Sequence, residues 1–372
     1  MPSCANYYCA YCDFIMIYIK QKIPDYNASH VKPNLQQRLQ SGFSLIELMV
    51  ALTIGLIITV ALGALFLNIT SSNSEMAKTN LQIENGRFAM QILQNDIVHA
   101  GFWGRLSDTS AISSPTAIPN PCLAVTSWLA AYKQNLLAIP VQGFADGSTL
   151  AQCNVASVLP SSDVMVVRHA NTCTKGTPSC DGGADTGPHI QVSACQLGTP
   201  APEAVYVIDS ATFPLRKKDC TTIADQRKII SNIYYVATSN NLPTLMRVSL
   251  VNGAYSQPQP LIEGIEAFRT EYGIDTLGRN GLAITAANPG DGSADSYVSC
   301  PVAGCTLNEL ANVVAVKLYV LSRNLETTHG YTDGKTYQLG STNIAAANDG
   351  YKRHVFSTTV RLVNPSSRRE VP

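Results

Sequence analysis

Two kinds of residue in this sequence could do chemistry: one carboxylate inside a long apolar run, and the cysteines that follow the run. The run extends from Phe43 to Leu67, and Glu47 is its only charged residue. A carboxylate in hydrocarbon costs at least about 2–3 kcal/mol on insertion scales, so Glu47 needs a compensating partner. An unpaired buried charge costs several kcal/mol. A pair between Glu47 and a cation would therefore add little net stability, but it would strongly disfavour packing of subunits in the wrong register.

Eight cysteines follow the apolar run, and an even number suits disulfides in an oxidising compartment. Two near-neighbour pairs each close a loop containing glycine or proline, and we expect them to be bonded: Cys173 with Cys180, and Cys300 with Cys305. The remaining four are expected to be oxidised, in a pairing that the sequence leaves open: Cys122, Cys153, Cys195 and Cys220. A zinc site of the common type needs two C-x2–4-C pairs, and the eight cysteines do not include two, so we expect no zinc site.

Other catalytic patterns are missing from the sequence. It contains no nucleophile elbow, zinc-protease motif or phosphate-binding loop, and its histidines are scattered. Asp291, Ser293 and Asp295 have the oxygen spacing of a calcium loop, but the acidic residue that usually completes such a loop does not follow. We interpret them as a solvated turn, and predict no enzyme, cofactor or metal.

Composition limits the classes of partner. The 372 residues include 26 basic and 26 acidic side chains, so overall charge does not favour nucleic-acid binding, and no nucleic-acid partner is expected. Charged residues make up 14% of the chain and hydrophobic residues 45%, which excludes a disordered polyelectrolyte. The length allows two domains, or one large domain with extensions.

The apolar run is long enough to cross about 30 Å of hydrocarbon as a helix. Four basic residues precede it, whereas the first basic residue after it is Lys78. This excess of positive charge before the run predicts that the N-terminus stays in the cytoplasm and that the C-terminal region is translocated. A cleaved secretory signal is the alternative, but the run is longer than its usual apolar region and no A-x-A site ends it.

The head of the run, residues 41–48, reads SGFSLIEL. This segment has a glycine at the polar boundary, then an aromatic residue, and a glutamate in a continuous apolar run. The pattern resembles the type III signal of type IV pilins and type II secretion pseudopilins. The resemblance implies that a prepilin peptidase cleaves after Gly42 and methylates Phe43. It also implies that Glu47 takes the place of the family's glutamate in subunit assembly.

Residues 1–42 form the leader in this interpretation, and they are more numerous than in the resembling families. Cys9 and Cys12 form a C-x-x-C pair, but no second Cys/His pair follows at the spacing of a zinc site. Initiation at Val31 would leave a basic leader of 12 residues. We therefore interpret the part before Val31 as an upstream extension.

A second helical pattern follows the membrane segment 43–67. Apolar residues recur every seven positions across 68–100 and form one stripe: Ile69, Met76, Ile83, Met90 and Ile97. Joined to the apolar run, this predicts about 55 residues of nearly continuous helix. We expect the stripe to pack on the chain's own sheet; a dimeric coiled coil is the alternative.

The region 101–372 is predicted to be a β-rich ectodomain, which gives an α+β class with a long N-terminal helix and disulfide staples. Gly101–Gly104 ends the helical pattern. Seven strands are expected: Asp163–Arg168, Ala204–Asp209, Ile229–Thr238, Thr244–Leu250, Ile265–Tyr272, Val313–Ser322 and Val355–Val363. The polar stretch near Ile229–Thr238 is also compatible with a sheet edge that pairs with a partner subunit.

Several blocks late in the chain resemble the PilW family of minor pilins. They are LIEGIEAF at 261–268, EYGID at 271–275, Asp291–Gly292, Ala294–Tyr297, the strand at 313–323 and HVFSTTVRLVN at 354–364. The resemblance implies a structural subunit that joins other minor pilins and the major pilin to prime or cap a type IV pilus, without turnover. It also implies twitching motility, contact with inner-membrane lipid, a periplasmic ectodomain, and later a place at the pilus tip or in the filament.

Two other functions stay open at this point. A J-type-like pseudopilin of a type II secretion system would use the same signal and the same helix. A pilus-borne binding or adhesion module, or a subunit that contacts a tip adhesin, is a function of another class.

Overall fold

The computed structural model describes residues 42–106, 112–178, 180, 186–195, 204–285, 287–301 and 304–370. The leader before Gly42 lies outside the described residues, with its C-x-x-C pair and the alternative start at Val31. The chain divides into two compact units, Met1–Phe66 and Leu67–Pro372.

One long helix, α1, begins in the first unit. It extends from Leu45 to His99 and contains 55 residues, which confirms the continuous helix expected from the sequence. Every residue from Gly42 to Phe66 is exposed, although nearly all of them are apolar. Such a surface needs lipid or protein around it. Among the described residues, α1 is the one helix long and apolar enough to span a membrane.

The described part of the second unit contains strands in three sheets. The first sheet has eight: β1 (Val141–Phe144), β2 (Val164–Ala170), β3 (His189–Val192), β4 (Tyr206–Asp209), β5 (Gln226–Ser239), β6 (Leu242–Val251), β7 (Ala254–Tyr255) and β8 (Gln259–Glu263). The second has four: β9 (Ile265–Ile274), β10 (Ser296–Val298), β11 (Val313–Arg323) and β14 (Arg353–Arg361). The third is a hairpin: β12 (Tyr337–Leu339) and β13 (Thr342–Ile344). Three short helices are α2 (Ala130–Ala138), α3 (Leu307–Ala311) and α4 (Val363–Arg369).

The strands of the named ladders are antiparallel, and the predicted α+β class with a β-rich, disulfide-stapled domain is confirmed. The second sheet has the order β10-β9-β11-β14. In the first sheet β5 is bordered by β2 on one side and β6 on the other. The interpretation of Ile229–Thr238 as a free sheet edge is therefore wrong.

The largest core lies where the second half of α1 meets both sheets. Ala89, Met90, Leu93 and Ile97 are buried there with Phe268 and other strand residues. Burying each large side chain contributes about 1.5–3 kcal/mol. The sequence stripe is right about Met90 and Ile97 but extends too far toward the N-terminus. Met76 is 61% exposed, because the buried face begins only at Gln82.

Both faces of the first sheet are covered, which explains why all seven residues of β2 are buried. Met165 and Val167 face the core shared with α1. Val164 and Val166 face a second cluster that contains Cys153 and β5 and β6 residues. A strand buried on both faces has no polar alternation, so its pattern differs from that of β14.

Candidate functional site

Glu47 lies in the first turn of α1, where its carboxylate closes the end of the helix. Its Oε2 accepts a hydrogen bond from the backbone N–H of Ser44 at 3.0 Å, and Ser44 Oγ accepts one from the N–H of Ile46 at 3.2 Å. These two side chains satisfy N–H groups near the helix end, in the manner of a capping box. The sequence expectation assigns Glu47 to pairing with a cation and misses this local role, although Ser-x-x-Glu spacing signals it.

Gly42 and Phe43 precede the capped turn without regular secondary structure. Phe43 is 88% exposed, and no atom lies within 4 Å of the position that a Cβ on Gly42 would take. The bond between them is therefore accessible, as a peptidase substrate must be. Cleavage and methylation at this bond stay predictions.

Reciprocal hydrogen bonds hold the second half of α1 on the second sheet. Gln82 Nε2 donates to the carbonyl oxygen of Ser322 at 2.8 Å, and Ser322 Oγ donates to the carbonyl oxygen of Gln82 at 3.0 Å. Both residues are buried. Because an unsatisfied buried polar group costs about 1–3 kcal/mol, this pair fixes the register of the helix along β11.

A polar chain connects α1 with three strands of the first sheet. His169 Nε2 of β2 lies 2.9 Å from Asp96 Oδ1, and Asn232 Nδ2 of β5 donates to Asp96 Oδ2 at 3.1 Å. Ser249 Oγ of β6 continues the chain with a 2.8 Å bond to Asn232 Oδ1. The sequence gives no signal for this pairing, because Asp96 and His169 are 73 positions apart.

Glu75 anchors α1 to the segment between β11 and β14. Its carboxylate accepts hydrogen bonds from Lys352 Nζ at 2.9 Å, Thr328 Oγ1 at 2.6 Å and Lys78 Nζ at 3.3 Å. These bonds, with Lys352 the strongest influence, lower the pKa of Glu75 to about 2. The carboxylate therefore stays ionised and bonded at every physiological pH.

Arg353 of β14 lies at the centre of three carboxylates. Its guanidinium bonds both oxygens of Glu266 at 2.6 and 3.0 Å, both oxygens of Asp349 at 2.6 and 2.7 Å, and Asp333 Oδ2 at 3.0 Å. Burial alone would raise the pKa of Asp333, but hydrogen bonds from Arg353 and Tyr337 hold that pKa below its usual value. The Arg353 hydrogen bonds also lower the pKa of Asp349. The cluster fastens the segment between β11 and β14 to β9.

Residues of α4 close the far end of α1. Asn364 Nδ2 donates to the carbonyl oxygens of Ala100 at 3.2 Å and His99 at 3.5 Å, and Arg368 donates to that of Gly101. Carbonyl groups at a helix C-terminus lack partners within the helix and favour a nearby cation. Burial lowers the pKa of Arg368 to about 10, which leaves it charged at neutral pH.

Four disulfides staple the described part of the second unit. The structure joins the two near-neighbour pairs selected from the sequence, Cys173–Cys180 and Cys300–Cys305. It joins the other four cysteines as Cys122–Cys153 and Cys195–Cys220, a choice that spacing could not make.

Two family models match separate parts of this chain. The model of the prokaryotic N-terminal methylation motif matches residues 37–63, which contain Gly42, Phe43 and Glu47. The model of the type IV pilus-assembly protein W matches residues 233–364. The chain thus carries a PilW-type segment behind a prepilin-type signal, and the resemblance to the PilW family is confirmed.

Wider comparisons add little to these two matches. No curated protein matches the chain significantly. A type IV-like pilin from Thermus thermophilus aligns over 76% of this chain and 97% of its own at 14% identity, with a TM-score of 0.32, and no conclusion is drawn from it. The family matches connect the chain with type IV pilus assembly. An apolar N-terminal helix behind a prepilin signal suits anchoring in the inner membrane.

The PilW-type segment contains most of the contacts that hold α1. It extends from β5 to the beginning of α4, and so includes Ser322, Arg353 and Asn364. Of the four disulfides, Cys300–Cys305 alone lies within it. The other three lie between Cys122 and Cys220, where the sequence shows no family-specific motif.

The calcium-like spacing near residue 291 serves local turns. Asp291 Oδ1 accepts a hydrogen bond from the N–H of Ser293 at 2.8 Å, and Asp295 Oδ2 accepts bonds from the N–H groups of Thr276 and Leu277. In the part of the chain that the structure describes, no group of three or more metal-ligating side chains converges.

Proposed function

We propose that this chain is a minor pilin, a structural subunit without turnover that joins other minor pilins to prime or cap a type IV pilus. The observation that carries the proposal is the position of the prepilin-type signal directly at the capped head of α1, the helix whose other half docks on the PilW-type segment. One chain therefore combines a prepilin-type signal with a PilW-type segment.

In this proposal the parts of the chain act in order. The leader 1–42 is removed by prepilin peptidase, and residues 43–67 hold the subunit in the inner membrane. Residues 68–100 carry the ectodomain 101–372 in the periplasm. Other minor pilins and the major pilin are its partners, and assembly takes the subunit to the pilus tip or filament.

Glu47 has two possible bonds in the proposal. In the single chain its carboxylate accepts from the backbone of Ser44. After cleavage, the new α-amine at Phe43 of a neighbouring subunit is a cation. The Glu47 carboxylate can then pair with this amine in place of the Ser44 N–H. The cap would keep the charge satisfied before assembly and release it afterwards.

A chromosomal deletion with complementation by the intact gene tests the proposal. We expect loss of surface pili and twitching with normal type II secretion, together with processed protein in sheared pili. Normal pili with defective secretion would instead identify a J-type-like pseudopilin. Normal pili, twitching and secretion combined with lost surface attachment would identify an adhesion module.

A further inference from the structure

A groove of about 430 Å³ opens on the first sheet. One wall is the turn that follows α1, residues 103–105, and another is Lys217–Asp219, which directly precedes Cys220 of the Cys195–Cys220 disulfide. Val192 of β3, which is half-buried, forms an aliphatic floor, whereas Ile190 also lines the groove but is only 1% exposed. The volume lies within the range of about 300–1,000 Å³ that ligand pockets occupy. We call this feature the basic groove.

Cations outnumber carboxylates around the basic groove. Arg105, Lys217, Lys218 and Arg227 line it, against two acidic residues. Within the described ranges, the side chains of Arg105 and Lys218 have no carboxylate partner, and both residues are exposed. Two positive charges are therefore available to a ligand.

The two acidic residues offset only part of this positive charge, because four cations and two carboxylates leave a formal net charge of 4 − 2 = +2. Asp225 forms an ion pair with Lys217 at 2.8 Å. Asp219 accepts hydrogen bonds from the backbone N–H groups of Thr221 at 3.0 Å and Thr222 at 2.9 Å. The electrostatic potential in the groove is consequently positive.

The walls of the groove are held in place. Gly104 has a φ of +71°, a conformation that favours glycine, and this turn directs the chain past Arg227. Arg227 donates to the carbonyl oxygens of Asn171 and Thr172, and its guanidinium lies 5.7 Å from the centroid of the Phe102 ring. A preorganised wall lowers the entropy cost of binding.

We propose that the basic groove binds an acidic peptide segment of a partner protein, with an apolar side chain on Val192 and a carboxylate between Arg105 and Lys218. Charge complementarity and the aliphatic floor carry this choice. Single-stranded nucleic acid fits less well, because it requires exposed aromatic faces for stacking. Trp103 is 1% exposed, and its Nε1 donates to the carbonyl oxygen of Leu137.

Fluorescence polarisation with the full chain in an uncharged detergent tests the proposal. The probe is a labelled peptide, Gly-Glu-Leu-Asp-Leu-Gly, compared with Gly-Gln-Leu-Asn-Leu-Gly. We expect saturable binding of the acidic peptide that weakens with salt, and binding of the amide peptide that is weaker by about tenfold or more.

Variants locate the binding. Arg105→Glu and Lys218→Glu should each weaken binding of the acidic peptide by about tenfold or more, because each replaces an attraction with a repulsion. Lys335→Glu is the matched control, since Lys335 is an exposed cation away from the groove, and it should bind like wild type. Val192→Ser tests the aliphatic floor and should weaken the binding of both peptides.

Three results would overturn the proposal: no saturable binding, equal binding of the two peptides, or wild-type binding by both groove variants. Tighter binding of a labelled oligothymidylate than of the acidic peptide would also overturn it. The proposal does not rest on a pilus function, so its failure leaves the minor-pilin assignment intact, and pilus loss in the deletion strain does not bear on it.

Discussion

Gly86 of α1 lies directly against the aromatic ring of Phe356 on β14. A Cβ at position 86 would be well inside van der Waals contact with that ring. The absent side chain is what allows the helix to approach the second sheet at this point. Gln82, one turn earlier, is then close enough to exchange hydrogen bonds with Ser322.

Gly86→Ala should destabilise the protein by about 1–3 kcal/mol, because the added methyl group forces the helix or the ring to move. Gly63→Ala is the matched control on the same helix, where nothing lies within 4 Å, and it should be neutral or slightly stabilising. Denaturant unfolding of both variants in detergent provides the measurement. Recovery in Gly86→Ala combined with Phe356→Leu would attribute the loss to this contact, and equal stability of the two single variants would contradict it.

Substitutions at the head of α1 separate the two uses of Glu47. Ser44→Ala removes part of the helix cap but keeps the charge, and should loosen the first turn by about 0.5–2 kcal/mol. Glu47→Gln keeps a capping side chain but removes the charge. If the charge pairs with a neighbour's amine, Glu47→Gln should be cleaved and inserted normally yet be depleted from sheared pili and from minor-pilin complexes.

Glu47→Ala removes both functions and should also be processed but not incorporated. The measurement is co-purification of processed protein with its partners, with wild type and Ser44→Ala alongside. Wild-type recovery of Glu47→Gln together with poor recovery of Ser44→Ala would assign the requirement to the helix cap. Full recovery of all three variants would show that neither function controls assembly.

The docking of α1 should weaken in acid. A carboxylate whose pKa is lowered by folding contributes stability above its unfolded pKa and loses it as pH falls through the folded value. For Glu75 these limits are 4.5 and about 2, and the lowered pKa values of Asp333 and Asp349 act in the same direction. Amide exchange in the segment between β11 and β14 should therefore accelerate as pH falls below about 4.5.

Glu75→Gln should flatten this acid response, because the substituted side chain does not titrate. Glu84→Gln is a suitable control, since Glu84 is an exposed carboxylate on the same helix. Protection factors compared at neutral and acid pH, after correction for intrinsic exchange, provide the measurement. Identical pH profiles for wild type and Glu75→Gln would exclude Glu75 as a source of the effect.

All eight ectodomain cysteines should resist alkylation in native protein and react only after reduction. Their removal should have unequal effects, because loop-closure entropy grows with the length of the closed loop. Replacing Cys122 and Cys153, which are 31 positions apart, should cost about 3–4 kcal/mol, and replacing Cys300 and Cys305, 5 apart, about 2 kcal/mol. Denaturant titration of the two double alanine variants tests the order, and a larger loss for the shorter loop would contradict it.

Sequence periodicity was sufficient for the elements that repeat a simple pattern. The 55-residue helix and β14, in which Val360 is buried between exposed Thr359 and Arg361, follow directly from it. It was insufficient for β3 and β8, which are only 4 and 5 residues long. Strands this short take their place from neighbouring strands and leave too few alternations to recognise.

The site shows the same limit. Residues 41–48 are contiguous, so their pattern could be recognised without a structure. Asp96 with His169, and Glu75 with Lys352, are pairs created by the fold, and no local rule connects positions 73 or 277 apart. The basic groove is similar, because residues 103–105 and Lys217–Asp219, which line it, are far apart in the sequence.

Closure of α1 by Asn364 has a consequence for the timing of folding. Asn364 bonds the carbonyl oxygen of His99 across 265 positions, and Gln82 reaches Lys352 across 270. The C-terminal end of α1 is therefore completed by residues far later in the chain, and contacts this distant form slowly. A chain in which these later residues have not yet docked keeps the apolar face of its helix unpaired and open to proteases. The contact that completes the end of the helix thereby forms only in chains whose distant segments have also folded.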